Sequence, residues 1–397
     1  MTRIDLGDLR FDEGAHLLVR RALNAVAVGE SVEVRAHAPD VGVHLRAWAR
    51  NHGHGFRPAG ETGPFFVERG RAETDRWAGA ERAGGPDAAR PGAVCDKPPL
   101  HWGLAARGAM VEAGVPDFAF HLRSKGDVWA DEAARLYRRA AAAQWDPETA
   151  VPWDAVVGLP EEVETAVVQV MTYLIENETA ALIVPSRFVA GLHPHFREVM
   201  QLLAIQAADE ARHVEVFTRR ALLAGDRLGL STVGGQASLK TLVDEPDFAI
   251  ASFLLSVMGE GTFLTLLRFL ERHAPDPVTR AVTRLAADDE ARHVAFGVAH
   301  LRESARGDPP LLGRLAQAVH RRHDALRQTA GLNEEVLDAL TLLAAGGWDP
   351  QCLRQGSQRV AGLIRDMDAG RRMQLDRIGF DKDQAVALSG LHTRNFM

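Results

Sequence analysis

The sequence predicts a mainly α chain, a four-helix bundle preceded by a small α+β unit and followed by a helical extension. Three observations predict it. Residues 1 to about 75 mix helical and strand periods, the chain turns helical almost throughout from Asp127 onward, and four long helical segments are joined by a short, a long and a short connection. Short, long, short is the pattern of a bundle with one crossover.

The first unit spans residues 1–80. A helical stretch, EGAHLLVRRALNAVAV, precedes SVEVRAHA, where Val32, Val34 and Ala36 alternate with polar residues as in a half-buried strand. GVHLRAWARNHG reads as a second helix and FFVERGRAE as another strand. In the stretches GESVEV and LRAWARNHGHGF the unit resembles the compact sulfur-carrier fold of the TusA-like proteins, a likeness of about 60 residues. Near the start of the first helix, where that family carries a functional Cys-Pro, this chain has Phe11 and Asp12, so an accessory role is expected.

Residues 81–125 contain ERAGGPDAARPGAVCDKPP, rich in Gly, Pro and Ala without periodicity, and read as a linker. The bundle is expected over 126–305. DEAARLYRRAAAAQW suggests a helix ended by the turn-prone DPETAVPWD, and the four long segments follow at about 160–190, 195–224, 246–273 and 276–305. The long connection is GDRLGLSTVGGQASLKTLVDEP, carrying Gly234 and Gly235. Residues 306–397 offer three or four further helical stretches, including LNEEVLDALTLLAAGG, that cap the bundle or make a dimer contact.

A formal charge of -7, with 46% apolar and 25% charged residues, is an ordinary globular balance, and no basic stripe is present to track a phosphate backbone. Nucleic acid is therefore not an expected partner. The opening MTRIDLGDLRFDEG has no apolar leader core, and apolar runs such as AALIV at 180–184 fall short of a membrane span, so the expectation is a soluble, cytoplasmic protein without a membrane partner. Cys95 and Cys352 form no CxxC pair, which argues against a disulfide scaffold, a thiolate zinc site or a rubredoxin-like iron centre. Any metal must be held by nitrogen and oxygen.

One hexapeptide, DEARHV, occurs at 209–214 and again at 289–294. Glu210 with His213, and Glu290 with His293, lie three residues apart and so share a helix face. In the third long helix Phe253, Val257, Glu260, Leu264 and Leu267 fall at steps of four, three, four and three, which puts Glu260 inside an apolar stripe. A lone carboxylate there is expensive unless paired or bound to metal. In the first helix Leu174, Glu178 and Ala181 repeat the arrangement; Glu176 is the competing carboxylate on another face, and Pro185 kinks or ends that helix. Glu178 precedes Glu210 by 32 residues and Glu260 precedes Glu290 by 30, as in a duplicated helix pair.

A single ExxH on a helix is a solvated acid and base at local spacing. Two copies, each preceded by a mid-stripe Glu, indicate a dinuclear site of four Glu and two His. With its tandem DExRH pattern the segment 160–305 resembles the ferritin-like di-iron carboxylate superfamily, on its substrate-oxidising oxidase and oxygenase branch. The resemblance implies a ferritin-like bundle, two iron ions or a mixed Mn/Fe pair, O2 and an external electron donor as partners, and homodimerisation. It also implies that Asp209 orients His293 and Asp289 orients His213, with Arg212 and Arg292 closing the ion pairs, because ligating imidazoles donate their second N–H to a carboxylate. Oxygen and imidazole ligands suit iron or manganese.

Other candidates carry less. His300 is expected as a core histidine, and the His52/His54 and His193/His195 pairs as turn histidines, since HxH lacks a third ligand. Where ribonucleotide reductase small subunits carry a radical Tyr this chain has Phe217, and where arylamine N-oxygenases carry an added His it has Ala286. Three functions stay open: an O2-activating oxidase or oxygenase of a small organic substrate (N-oxygenation, hydroxylation, desaturation or C–C cleavage), with Phe253, Val257 and Leu264 lining a dry cavity; a ferroxidase or iron-storage protein; and a non-catalytic, metal-stabilised interaction protein. The storage ferritins are short chains, whereas this one carries about 250 residues beyond the bundle.

Overall fold

The computed structural model describes residues 1–60, 63–155, 158–327 and 334–392. Leu332 and Asn333, which open the stretch LNEEVLDALTLLAAGG, lie outside the described residues. The chain packs as two units, residues 1–86 with 107–116, and residues 87–106 with 117–397.

The first unit runs β1 (Thr2–Asp5), α1 (Ala15–Asn24), β2 (Ser31–Arg35), α2 (Val41–Asn51), β3 (Gly55–Pro58), β4 (Phe65–Glu68), α3 (Ala72–Arg76), β5 (Glu81–Arg82) and β6 (Met110–Val111). Four strands make one sheet in the order β1-β2-β4-β3, with β1 parallel to β2 and β4 antiparallel to both its neighbours. Val32 pairs with Val67 and Val34 with Phe65, so the apolar residues of β2 and β4 share the face covered by Val19 and Leu23 of α1 and Leu45 of α2. The strands β1 and β3 are absent from the sequence reading. The first is short and polar, and Pro58 disfavours a strand except at an edge, where β3 in fact lies.

The segment 81–125 is not a plain linker. β5 pairs with β6, and Val94 and Trp102 are buried, so it carries structure in both units.

The second unit is helical: α4 (Lys125–Val128), α5 (Ala133–Ala142), α6 (Pro147–Ala150), α7 (Glu161–Val189), α8 (Arg197–Ala221), α9 (Val233–Val243), α10 (Phe248–Ser252), a π-helical segment (Phe253–Gly259), α11 (Glu260–His273), α12 (Pro277–Gly307), α13 (Leu311–Leu326), α14 (Glu334–Ala345), α15 (Pro350–Ile378) and α16 (Lys382–His392). α7 packs on α8, α11 on α12, and α8 on α12, which gives the expected bundle. The crossover holds a helix the sequence reading missed, α9, capped by the Thr232 hydroxyl accepting from Gly235 N–H; the adjacent Gly234 and Gly235 had masked it.

Pro185 neither ends α7 nor lies outside it: the helix continues to Val189, and Pro185 is buried. Two helices, Glu161–Val189 and Phe248–His273, are long and apolar enough to span a membrane by length and composition, contrary to the run-based expectation. Both are bundle helices, with 67% and 83% of those windows buried, and a helix apolar on most sides is what a bundle core requires.

The ends of three bundle helices are tied by Arg220. Its guanidinium is fully buried, donates to both carboxylate oxygens of Glu164 on α7 at 2.6 and 3.0 Å, and donates to Asp276 at 2.8 Å at the start of α12. Asp276 in turn accepts from Thr279 N–H, capping α12. α14 and α15 pack together where Gly356 leaves no room for a side chain, since a Cβ there would lie 2.4 Å from the Thr341 carbonyl oxygen.

Candidate metal centre

Each of the four bundle helices contributes an acid. Glu178 comes from α7, Glu210 and His213 from α8, Glu260 from the first residue of α11, and Glu290 and His293 from α12; their exposures run from 0 to 4%. Glu176 is only partly buried and stands outside the cluster, as its helical face predicts. Two groups of potential ligand atoms, each within 4.8 Å of one another, overlap: Glu178, Glu210, His213 and Glu290 in one, and Glu210, Glu260, Glu290 and His293 in the other. Glu210 and Glu290 belong to both groups. Among the described residues no other such group of three or more is present.

Both imidazoles point the same way. His213 Nδ1 faces Glu210 at 3.2 Å and Glu178 and Glu290 at 3.5 Å each. His293 Nδ1 faces Glu210 at 3.0 Å and Glu290 at 3.4 Å. The outward Nε2 atoms meet the aspartates crosswise, His213 with Asp289 at 3.1 Å and His293 with Asp209 at 3.3 Å. With Nε2 donating to an aspartate, each ring in its neutral form would present an Nδ1 lone pair to the glutamates. Arg212 donates to Asp209 and, at 3.0 Å, to Asp289; Arg292 donates to Asp289 and lies 3.6 Å from Asp209. The structure thus brings Asp209, Asp289, Arg212 and Arg292 together behind the two imidazoles.

Three supporting residues were not read from the sequence. Beyond α5, Gln144 Nε2 donates to Asp209 at 2.8 Å and the Trp145 indole N–H to Asp289 at 2.8 Å, while the Arg212 guanidinium lies 4.6 Å from the Trp145 ring centre. Nothing local marks them. Gln206, whose amide donates to Glu260 at 2.9 Å, was legible: it precedes Glu210 by four residues on the inward stripe of α8.

The electrostatics are those of a site built for cations. Burial pushes the Glu178 carboxyl well above the usual range, and the Glu210 and Glu290 charges add to it; burial and the Glu290 charge do the same to Glu260. For Glu210 burial acts upward too, but the two imidazoles outweigh it and hold the group low. Burial acts to lower His213 and His293, and the surrounding carboxylates override it, raising both. Several carboxylate oxygens, Glu178 Oε1, Glu210 Oε1, Glu260 Oε2 and both of Glu290, are buried without a hydrogen-bond donor, as is His293 Nδ1. Unpartnered buried acceptors of this density are very unfavourable unless a cation completes them. Four glutamates and two aspartates against Arg212 and Arg292 leave four negative charges, which two divalent cations neutralise. The donor set thus fits two metal ions.

Phe253 and Val257 are fully buried in the core, while Leu264 instead lines a surface groove. The π-helical turn over 253–259 breaks the regular stripe expected there and sets Glu260 at its exit, with Ser256 hydrogen-bonding Glu260. Gly297 of α12 admits this close packing, because a Cβ would lie 2.4 Å from Ser256 Cβ. His300 is a core histidine, stacked on Phe296 and tilted against Phe248, and burial lowers it to about 4. His193 and His195 are buried, not loose: His195 accepts from the Cys95 N–H at 2.9 Å and His193 sits 3.1 Å from the Pro99 carbonyl. Phe217 lies against His213, ring centres 6.2 Å apart, where no tyrosyl oxygen is available.

Bundle order and crossed donor set together define a four-helix bundle whose core gathers four glutamates and two histidines able to hold two metal ions. No protein-family model matches the chain, and no curated protein matches it. Among solved structures it is similar to a variant of an R2-like ligand-binding oxidase with an aerobically reconstituted Mn/Fe cofactor, at 19% identity and TM-score 0.46 over 64% of this chain and 98% of that one. It is also similar to an R2-like ligand-binding oxidase with an aerobically reconstituted metal cofactor after photoconversion, at 21% identity and TM-score 0.44 over 64% and 94%.

Proposed function

We propose that the chain is an oxygen-dependent oxidoreductase whose dinuclear iron or Mn/Fe centre is held by Glu178, Glu210, His213, Glu260, Glu290 and His293. The observation that carries this reading is the crossed arrangement in which two Nδ1 atoms and the orphaned carboxylate oxygens converge while every Nε2 is braced by an aspartate. Such a pair of ions supplies the reduction of O2 with electrons from an external donor, and with it the oxidation of a small organic substrate.

The protein's own contribution is positional. Asp209 and Asp289 fix the imidazole tautomers; against the upward push of burial, His293 holds Asp209 low, and His213, with Arg292, holds Asp289 low, while Arg212 pairs with both. Gln206 and Ser256 orient Glu260, whose Oε2 is left without a hydrogen-bond partner. Phe217, Val257 and Phe253 exclude water. The same six side chains could serve a ferroxidase, and the distinction is experimental.

The test is anaerobic loading with Fe(II), metal analysis, then O2 admission in an oxygen electrode with excess reductant. Two ions per chain and sustained O2 uptake beyond oxidation of the loaded iron are expected. Uptake that stops once the iron is oxidised would transfer the protein to iron handling, and fewer than two ions would overturn the site.

A further inference from the structure

A groove of about 430 Å³ opens between the first turns of α7 and α14. Glu162, Ala166 and Gln169 of α7 face it at steps of four and three, and Glu335, Asp338 and Leu342 of α14 at steps of three and four, so one stripe of each helix makes a wall. Its apolar lining comes from Ala166, Leu230, Ala339, Leu342 and Leu353, together with the ring of Trp348, which is 60% exposed. Glu178 lies nine residues beyond Gln169 on α7, about 13 Å along the axis, so the groove is separate from the metal cluster.

Every charged residue of the lining is an acid: Glu162, Glu335 and Asp338. None of the three side chains has an ion pair or hydrogen bond among the described residues, and Glu335 Oε2 is buried without a donor, a costly state for a carboxylate oxygen. Gln169 cannot answer them, because its amide is closed on the Leu230 backbone at 2.8 and 3.0 Å. A neighbouring hollow shares Glu162, Leu342 and Trp348 and holds Arg272 and Arg359, but both guanidiniums are spent on backbone carbonyls, those of Arg268 and Ala344.

Unpaired carboxylates beside an exposed indole face, over an apolar lining, are complementary to a cation. The three acids do not converge on one point as the metal ligands do, so a bare metal ion is not the cation they fit. An ammonium ion on an apolar body fits better: its N–H groups donate to the carboxylates, its charge lies against the indole, and the cavity is of the size that takes a small organic molecule. We propose that the groove binds a small apolar ammonium ion, its body against Trp348 and the α7 and α14 walls and its N–H donors on Glu335 and Asp338. Binding there needs no metal, so the proposal stands or falls apart from the oxidoreductase reading.

The test uses phenethylamine as probe, titrated calorimetrically into the full-length protein without added metal, with 2-phenylethanol and phenylacetate for comparison. Saturable phenethylamine binding is expected, at least tenfold tighter than either comparison compound and weakened by added salt. Glu335→Gln with Asp338→Asn keeps the shape of the wall and should weaken it at least tenfold; Trp348→Leu, at an exposed position, should weaken it about two- to fivefold. Added Mn(II) should leave the affinity unchanged, since the metal cluster lies elsewhere. Absence of saturable phenethylamine binding, equal binding of either comparison compound, an undiminished affinity in either variant, or displacement of phenethylamine by Mn(II) would each overturn the proposal.

Discussion

Glu178→Gln and Glu176→Gln separate two carboxylates that stand two residues apart in one helix. Metal analysis after anaerobic loading should show less than two ions per chain for the first and full loading for the second, since only Glu178 lies in the ligand cluster. Asp289→Ala leaves His213 without its brace, and a loss of about 10–100-fold in metal affinity is expected, measured by chelator competition. His300 gives a pH test away from the ligands. Burial holds it at about 4 against an ordinary 6.5, so the folded state favours the neutral ring. The stability it contributes is whole above pH 6.5 and is lost as pH falls toward 4, on the order of 3 kcal/mol by the lower limit. In His300→Phe, set between Phe248 and Phe296, denaturant melts across that window should show a shallower acid limb than the parent chain; identical limbs would refute the assignment. The clustered glutamates and histidines were legible, because ExxH repeated and mid-stripe acids are patterns of sequence. Gln144 and Trp145 were not, because their partners are brought from 65 and 144 residues away by tertiary packing alone.

At the scale of elements, the π-helical turn and Gly297 are a matched pair. Gly297→Ala drives a methyl into Ser256, so the turn must shift; a cost of about 1–3 kcal/mol in unfolding free energy is expected, together with weaker metal loading, since Ser256 and Glu260 move together. A normal metal affinity in that variant would show that the turn does not set Glu260. The four long helices were legible because apolar residues recur at three and four over two dozen residues or more. The π turn was not: all seven residues over 253–259 are buried, so the same apolar run satisfies either winding. Strands β1 and β3 escaped for the opposite reason, being too short and too polar to carry a period.

For the whole molecule, two units imply two thermal transitions, of which metal should move one. Ions that bind only the folded bundle raise its stability by about 2.7 kcal/mol at a hundred times the dissociation constant. Calorimetry with and without Fe(II) under argon should therefore shift the transition of the unit containing 117–397 upward and leave that of the unit containing 1–86 in place. Equal shifts in both would show that ligands lie outside the bundle. The chain passes between the units at 86, 106 and 116, which explains why a compositional linker over 81–125 hid a strand pair: Gly and Pro mark turns whether or not the segment packs.

The crossed aspartates also constrain how this sequence can change. After a duplication, one copy is ordinarily free to drift while the other keeps the function. Here the imidazole of each hexapeptide is steadied by the aspartate of the other, and both arginines lie against both aspartates. A substitution of the Asp, Arg or His in either copy therefore removes a contact from the other, so damage to one half of the cluster is expected to reach both.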